Sequence, residues 1–483
     1  MASAGLPHIR HLLGSEWTTT GPELLEHISP STGQVQARFS GAGADEVDRA
    51  VAAARSAFVE WRKVAPAKRR QLLERLSALI LAARDELRDI GVAECGTPVR
   101  QGGGAVLAAR YTAYFAGWAD KLDGLVAPVG HNALDYVLPQ PYGVVAALIP
   151  WNAPVPSLGM KLSPALAMGN CVVLKPSPLA PFATVRFVEL CQEAGFPPGV
   201  VNLVHGGADA GELLVGHPGV DKITFTGGVA TGRAVMRTAA ANLTPVTLEL
   251  GGKGALVAFD DVDADRVASD AVGYSVGTLA GQACALPTRV IVEQSRYEEV
   301  ASAVAKRFAE LRMGDPADES ADVGPLISAD AQRRVVGIIE HAREHDNATI
   351  LIGGGADGGP SGNGFWVEPT LVADVAPDAA VVQGEVFGPV VTIQSFTDEA
   401  EAVALANGTD YGLSAFVYTE DLKRAHRVAR DLEAGYVSVN GFAYLPPETP
   451  FGGWKSSGFG REGGRAGVED FVQTKNVYIP IGN

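Results

Sequence analysis

The sequence predicts an α/β protein with a doubly wound, mostly parallel sheet, followed by a second α/β unit and a short β arm. Between residues 143 and 259, apolar runs of strand length alternate with segments of helical periodicity, as they do when helices cover both faces of a parallel sheet. The run VVAALI at 144–149 is apolar at every position, which is typical of a strand buried on both faces. At 483 residues the chain is too long for one ordinary core, so we expect about three domains.

The first elements follow from periodicity. Val47, Ala50, Val51 and Ala54 repeat at helical spacing, and this pattern predicts helices between residues 45 and 88. Beyond a strand that starts at 136, the alternation predicts strands in PYGVVAALIPW, CVVLKPS, GVVNLVHGG, VDKITFTGG and VTLELGGKGALVAF, and helices in TVRFVELCQEAG, GELLVG and TGRAVMRTAA. The first of these helices is expected to end at a glycine C-cap.

A second alternating block follows residue 252. It predicts strands in TRVIVE, PVVTIQSF, LSAFVYT and GYVSVN, and helices in VASDAVGYSVGTLA, YEEVASAVAKRFAELR and AQRRVVGIIEHARE. A short terminal strand in NVYIPIG is expected to join the segment near 135–139 in an arm that pairs with another subunit. We therefore expect a homodimer or a homotetramer.

Charge and composition exclude several classes of function. The formal net charge is −16, whereas proteins that bind nucleic acid cluster Lys and Arg, so no nucleic-acid partner is expected. No apolar run is long enough to span a bilayer, and the N-terminus lacks the apolar core of a signal peptide. Four widely spaced cysteines without a CxxC motif argue against disulfides and a metal site. A cytoplasmic protein without membrane partner or metal is expected.

The stretch GQACALPTR places Cys284 among small residues. A nucleophilic thiol must be reachable by a carbonyl carbon, and the neighbours Ala283 and Ala285 leave room for it. Cys191, in contrast, shares a helical face with apolar residues and is expected to be inert. No spacing pairs Cys284 with a histidine, and the local pattern alone leaves open a buried, unreactive thiol.

Two further stretches carry polar groups suited to acyl chemistry. In VTLELGGKG, strand alternation points Glu249 away from Leu248 and Leu250, where a carboxylate is able to take a proton from water. In IPWNAPV, Asn152 offers a fixed amide donor for an oxyanion. An exposed strand glutamate and a rigid turn are the alternative interpretations.

The stretch TFTGGVATGR predicts an anion site. A strand passes through glycines into a helix, so backbone N–H groups at the helix start face outward and favour a phosphate, such as a dinucleotide pyrophosphate. The stretch is not a P-loop, because Arg233 and Ala234 replace the required Lys and Ser or Thr.

Taken in order, the motifs resemble those of the aldehyde dehydrogenase superfamily, in its NAD(P)-dependent, non-acylating form. The resemblance extends from about residue 16 to 478, and its motifs are IPWNAP, VLKPS, FTGG, LELGGK, GQAC, EVFGPV and PFGGWKSSGFGRE. It implies oxidation of an aldehyde to a carboxylic acid. Cys284 would form a thiohemiacetal and then a thioester, Asn152 and the Cys284 N–H would hold the oxyanion, and Glu249 would activate water.

The resemblance also implies the cofactor residues. Lys175 matches the lysine that contacts the adenosine ribose, and Glu385 and Phe387 match the pair that positions the nicotinamide ribose and ring. The remaining positions that would border the cofactor are Ile149, Pro150, Trp151, Gly207, Thr226, Gly227, Gly228, Leu250 and Gly251. NAD is the expected cofactor.

Three positions depart from the common pattern of the superfamily. Pro178 stands where many NAD-preferring members have a glutamate for the adenosine ribose, which keeps NADP open as a second cofactor. Gly228 lacks the hydroxyl of a frequent serine. Ala153 replaces a frequent phenylalanine, so with Ala283 and Ala285 it predicts a wide substrate tunnel for bulky or aromatic aldehydes. Further candidates for the tunnel wall are Phe442 and Tyr444.

The predicted division assigns 1–117 and 141–251 to a Rossmann-like cofactor domain and 252–451 to a catalytic domain that carries Cys284. Residues 118–140 and 452–483 form the oligomerisation arm and C-terminal segment.

Two other functions stay open: a CoA-acylating dehydrogenase, which the retained Glu249 argues against, and a non-catalytic binding protein on the same fold, which the retained Cys284 and Asn152 argue against. A cofactor-free thiol esterase is expected at most as a side activity.

Overall fold

A computed structural model describes residues 5–357, 359–442 and 445–482. Its strands are β1 (His11–Leu13), β2 (Glu16–Thr18), β3 (Glu23–Ile28), β4 (Val35–Gly41), β5 (Leu125–Ala127), β6 (Ala133–Pro141), β7 (Val144–Ile149), β8 (Cys171–Pro176), β9 (Val201–Leu203), β10 (Lys222–Thr226), β11 (Val246–Glu249), β12 (Gly254–Ala258), β13 (Pro287–Glu293), β14 (Thr349–Ile352), β15 (Ala356–Asp357), β16 (Trp366–Val367), β17 (Thr370–Ala373), β18 (Val390–Phe396), β19 (Tyr411–Gly412), β20 (Ser414–Tyr418), β21 (Tyr436–Val439), β22 (Trp454–Lys455), β23 (Gly458–Phe459) and β24 (Val472–Pro480).

The α-helices are α1 (Ala44–Trp61), α2 (Pro66–Ala82), α3 (Arg84–Cys95), α4 (Ala105–Trp118), α5 (Pro154–Ala167), α6 (Phe182–Ala194), α7 (Ala208–Val215), α8 (Val229–Ala240), α9 (Ala264–Gly273), α10 (Tyr297–Glu310), α11 (Ala329–His345), α12 (Ala380–Gln383), α13 (Glu399–Asn407), α14 (Leu422–Asp431) and α15 (Gly464–Glu469). Gly195 ends α6 in the left-handed conformation, as its C-cap position predicts. The helix predicted over 267–280 ends earlier, because the chain turns after Gly273 and enters the loop that carries Cys284.

The first sheet has the strand order β2-β1-β9-β8-β7-β10-β11-β23. Strands β9, β8, β7, β10 and β11 run parallel, and the order reverses around β7, which makes the sheet doubly wound. Every residue of β7 and β8 is buried, because helices cover both faces. The carboxyl ends of these strands therefore lie along one edge, where ligands bind in sheets of this kind.

The second sheet has the order β14-β17-β18-β13-β12-β20-β21 and is parallel except at β14. It has hydrophobic clusters of its own, which include Phe416, Tyr418 and Val304 on one side and Val257, Ile291 and Val417 on the other. The alternation seen in the sequence thus produces two α/β units, each with a buried sheet.

A third sheet contains β24, β6 and β5 in antiparallel order. Residues 472–480 of the terminal strand pair with residues 133–141 of the same chain along their whole length. The segment just before β24 returns to the first unit, because β23 pairs with β11 and α15 contacts α5. The arm strand itself therefore begins at Val472.

Candidate active site

A cleft of about 1600 Å³ runs along the carboxyl edge of the first sheet and extends to the second unit. Strand register brings the polar strand ends together, because Thr226 lies beside Glu249 and Leu148 lies beside Lys175. The cleft wall contains all the residues predicted for the cofactor, together with Asn152 and Cys284: Ile149, Pro150, Trp151, Lys175, Gly207, Thr226, Gly227, Gly228, Leu250, Gly251, Glu385 and Phe387.

Cys284 lies in a tight loop between α9 and β13. Gly281 has φ +74°, and a Cβ atom there would lie 2.0 Å from the carbonyl oxygen of Gly388, so only glycine fits this approach. The Cys284 side chain is half-buried and lies against the cluster of Ala285, Leu413 and Phe451. Burial, together with the nearby carboxylates of Glu385 and Glu249, raises the pKa of the thiol to about 12. The resting group is therefore a protonated thiol.

Asn152 is held against the loop of Cys284. It follows β7 just before α5, and its Nδ2 donates a hydrogen bond to the carbonyl oxygen of Gln282 at 2.9 Å. Gln282 is fixed in turn, because its amide contacts the carbonyl of Pro325 and accepts from the N–H of Ile327. The Asn152 amide has two N–H donors. One of them positions the loop, and the second remains available to donate to a ligand.

Glu249 is the last residue of β11, and only 3% of it is exposed. Neither carboxylate oxygen has a hydrogen-bond partner among the described residues. Burial raises its pKa well above the usual value and the charge of Glu462 adds to this shift, whereas Lys161 and Arg461 oppose it. An unpartnered buried carboxylate is costly, and a carboxylate whose pKa is raised in this way is a candidate functional group.

Lys161 and Glu462 form a buried ion pair that the sequence analysis missed. Their charged atoms lie 2.5 Å apart, and Lys161 also donates to the hydroxyl of Thr224 at 3.0 Å. Because the pair contributes opposite charges close to Glu249, it sets the field in which that carboxylate titrates. The available signal was a lysine within the apolar helix sequence PVPSLGMKLSPALA, because a buried lysine requires an anionic partner.

The adenosine end of the cleft suits a dinucleotide. Helix α8 begins after Gly228 without a side-chain cap, so its first N–H groups are free of side-chain competition for a pyrophosphate. A Cβ atom at Gly228 would meet no atom within 4 Å, which leaves the space in front of the helix open. Lys175, on β8, lines the same cleft and is buried, and its Nζ donates to the carbonyl oxygen of Pro176 at 3.3 Å. These groups fit the phosphates and ribose of NAD.

The other end of the cleft contains the two residues predicted to position the nicotinamide ribose and ring. Glu385 accepts a hydrogen bond from the N–H of Gly252 at 2.9 Å, and a Cβ atom at Gly251 would lie 2.3 Å from its carboxylate. Burial raises the pKa of Glu385 to about 7, which Lys253 and Arg334 oppose. The ring of Phe387 packs edge-on against Trp151 at 5.4 Å between centroids.

The residues predicted for the substrate tunnel lie in different surroundings. Ala153 lines a cavity of about 280 Å³ beside Asn152. Ala283 is half-buried, whereas Phe442 packs against the rings of Tyr274 and Phe416. Ala285 is buried next to Cys284. Tyr444 lies outside the described residues.

Two features are absent from residues 5–357, 359–442 and 445–482. No helix there is long and apolar enough to cross a membrane. No group of three or more His, Cys, Asp or Glu side chains in the same ranges is arranged to hold a metal ion. The four cysteines are all free thiols.

Comparison with known proteins gives matches along nearly the whole chain. The model of the aldehyde dehydrogenase family matches residues 17–477. A betaine aldehyde dehydrogenase of Rhizobium leguminosarum bv. trifolii is 38% identical over 485 aligned positions, which cover 99% of this chain and 98% of the relative.

Solved structures agree with this match. An aldehyde dehydrogenase from Bacillus cereus in its NAD⁺ complex is 35% identical with a TM-score of 0.96, and the alignment covers 99% of this chain and 98% of that one. PnpE, known from Pseudomonas sp. WBC-3, in complex with nicotinamide adenine dinucleotide is 38% identical with a TM-score of 0.95 and 98% coverage of both chains.

Proposed function

The chain belongs to the aldehyde dehydrogenase family and is an oxidoreductase that acts on aldehydes with NAD, and from this premise we propose that it forms carboxylic acids through a thioester on Cys284. The observation that carries the proposal is the grouping of three side chains: a thiol, an amide donor held to the thiol's own loop, and an unpartnered buried carboxylate.

The first step joins the thiol to the aldehyde. Glu249 takes the thiol proton, the sulfur adds to the carbonyl carbon, and the carbonyl oxygen becomes an oxyanion. The second N–H of Asn152 and the Cys284 backbone N–H stabilise that charge, an effect worth roughly 10²–10³ in rate for one donor. NAD, held by the residues that line this cleft, would supply the hydride acceptor with which the adduct on Cys284 is oxidised to a thioester.

The second step releases the acid. Glu249 takes a proton from water, the hydroxide adds to the thioester carbonyl, and the carbon–sulfur bond breaks. One of the two protons taken by Glu249 in a turnover returns to the thiolate and the other leaves to solvent. The buried carboxylate thus supports water, rather than CoA, as the acceptor of the acyl group.

The substrate is proposed to carry an aryl or other bulky apolar group. The 280 Å³ cavity beside Asn152 is lined mainly by small apolar residues such as Ala153, Pro156 and Leu279, and no charged or aromatic side chain of the described residues lines it. A quaternary ammonium group is held best by aromatic faces. We therefore expect betaine aldehyde to be a poor substrate of this chain.

We propose that the arm sheet of β5, β6 and β24 mediates oligomerisation in a homodimer or homotetramer. Leu125 and Val126 on β5 are 61% and 68% exposed, and an exposed apolar strand at a sheet edge favours pairing with another chain. The free thiols and the reactive cysteine suit a reducing, cytoplasmic setting.

The test is NAD(P)H formation at 340 nm with a panel of aliphatic and aromatic aldehydes and betaine aldehyde. The wild type is compared with Cys284→Ala and with Cys191→Ala, whose thiol is buried in α6. We expect turnover that Cys284→Ala abolishes and Cys191→Ala retains, with aromatic aldehydes preferred. Turnover that survives in Cys284→Ala would contradict the proposed chemistry.

A further inference from the structure

A carboxylate from a distant element contacts Gly207, a residue at the adenosine end of the cleft. Lys175 and Gly207 both line this end, and the neighbouring Pro178 brings no acidic group to it. Glu23, on β3, reaches Gly207, because its Oε2 accepts a hydrogen bond from the N–H of Gly207 at 3.3 Å. An acidic side chain is thus present where the loop after β8 supplies none.

The position of Glu23 is fixed by close backbone approaches. In the β3–β4 pair it stands opposite Gly41, where a Cβ atom would lie 2.6 Å from its Oε2. A Cβ atom at Gly207 would lie 3.1 Å from its Oε1. The carboxylate therefore occupies a slot between two glycines at the start of α7, and a larger residue at Gly41 would close it.

Glu23 also acts electrostatically on Lys175. Burial lowers the pKa of the Lys175 ammonium to about 8, and the negative charge of Glu23 opposes that shift. The lysine passes along the first turn of α7, since a Cβ atom at Gly211 would lie 3.5 Å from its Cε. An ammonium and a carboxylate thus face each other across the space next to Gly207.

We propose that Glu23 accepts hydrogen bonds from the adenosine ribose hydroxyls and, by repelling a 2′-phosphate, selects NAD over NADP. The inference rests on the proposed function only for the presence of a dinucleotide in this cleft. A ribose diol donates two hydrogen bonds, which a carboxylate accepts well. A 2′-phosphate in the same place would put like charges together.

Glu212 is the alternative carboxylate, because it lies one turn along α7 and lines the same cleft. Glu212 lies on the helix and not between the two glycines, and no hydrogen bond among the described residues joins its side chain to Gly207. It therefore enters the test as a competing variant.

The experiment measures dissociation constants of NAD⁺ and NADP⁺ by isothermal titration calorimetry in a Cys284→Ala background, so that binding is read without turnover. The variants are Glu23→Gln, Glu212→Gln and, as a matched control on the same strand, Glu26→Gln, which pairs with Arg38 away from the cleft. Thermal melting checks that each variant is folded; Glu23→Gln keeps an oxygen for the N–H of Gly207.

We expect NAD⁺ to bind at least about tenfold more tightly than NADP⁺ in the parent, and Glu23→Gln to reduce that ratio about tenfold while Glu26→Gln leaves it unchanged. An equal ratio in Glu23→Gln and parent, or the same loss in Glu212→Gln instead, overturns the inference. So does a parent that binds NADP⁺ as tightly as NAD⁺. Tight NAD⁺ binding without aldehyde oxidation by the wild type would defeat the proposed function and leave this inference standing.

Discussion

The thiol of Cys284 is a weak nucleophile in the resting molecule, because burial and three nearby carboxylates raise its pKa to about 12. The thiolate is the reactive form of cysteine. Glu249 must lose its own proton before it takes that of the thiol, and its pKa is raised as well. Both requirements point the same way: low pH suppresses the reaction, and activity increases as pH rises.

The alkylation rate of the thiol tests this electrostatic account. We expect inactivation of the cofactor-free protein by iodoacetamide to accelerate about tenfold for each pH unit between 7 and 9, because the thiolate fraction grows in that proportion far below the pKa. Peptide mapping should place the label on Cys284. A rate that is already constant above pH 7 would show an activated thiolate and contradict the raised pKa.

Removal of the oxyanion donor should slow the reaction without weakening the binding of NAD⁺. Asn152→Ala is expected to lower kcat/KM by about 10²–10³, measured with the best aldehyde of the panel. Calorimetric titration of NAD⁺ serves as the control and should give a Kd within about twofold of the wild type. A loss of less than tenfold in kcat/KM would remove Asn152 from the proposed role.

At the residue scale, the sequence predicts those site residues that stand within short motifs. Cys284, Asn152 and Glu249 each stand in a local stretch whose neighbours suit the proposed chemistry. Lys161 and Glu462 are 301 positions apart, and Glu23 and Gly207 are 184 apart. Contacts of that separation depend on how the elements pack, so periodicity and spacing do not indicate them.

The loop of Cys284 shows how an element positions a reactive group. Its small residues permit close packing: Gly281 lies against the backbone of Gly388, and Leu279 and Ala280 both have positive φ values near 50°. Non-glycine residues in this region cost about 1–2 kcal/mol each. The strain is held by the hydrogen bonds of Gln282 and by Asn152, so the thiol is placed by a rigid loop.

A glycine substitution tests that rigidity. Gly281→Ala is expected to lower the free energy of unfolding by about 2 kcal/mol or more, from left-handed strain and the clash with Gly388. Gly337→Ala is the matched control, since Gly337 lies on α11 with open space around a Cβ atom. Alanine there should raise the free energy of unfolding by about 1 kcal/mol, because it favours the helix more than glycine does. Urea unfolding measures both. Equal stability of the two variants would contradict the close packing of the loop.

At the element scale, periodicity identifies the buried strands well, because strands such as β7 and β8 are apolar at every position and flanked by helices. The end of α9 was missed: the apolar spacing continues past Gly273, but the chain there turns to carry Cys284 to the cleft. The length of α9 is therefore set by tertiary packing, which the local sequence pattern does not indicate.

The arm is the feature that concerns the whole molecule. Residues 133–141 and 472–480 pair within one chain, and β5 covers one side while its own apolar side chains stay exposed. An isolated ribbon with exposed apolar residues gains stability by burying them against another subunit. The sequence predicted that these strands lie together; it does not specify the geometry between subunits.

The mass in solution tests the arm. We expect light scattering after size exclusion to give a multiple of the 50.2 kDa chain mass, and Val126→Lys to shift the protein toward smaller species, because a charge replaces an exposed apolar contact. Lys306→Ala, a change at an exposed position on α10 outside the arm, should leave the mass unchanged. A wild type that elutes as a monomer would contradict the assignment.

The measurement that tests the central claim most directly is mass spectrometry of Glu249→Gln after a short exposure to aldehyde and NAD⁺. Without the base, hydrolysis should stall while acylation, with solvent taking the thiol proton, still proceeds slowly. The account predicts that the mass of the acyl group appears on the peptide of Cys284 and disappears in Glu249→Gln/Cys284→Ala. An unmodified Cys284 peptide after NADH has formed, or an acyl group on another cysteine, would contradict it.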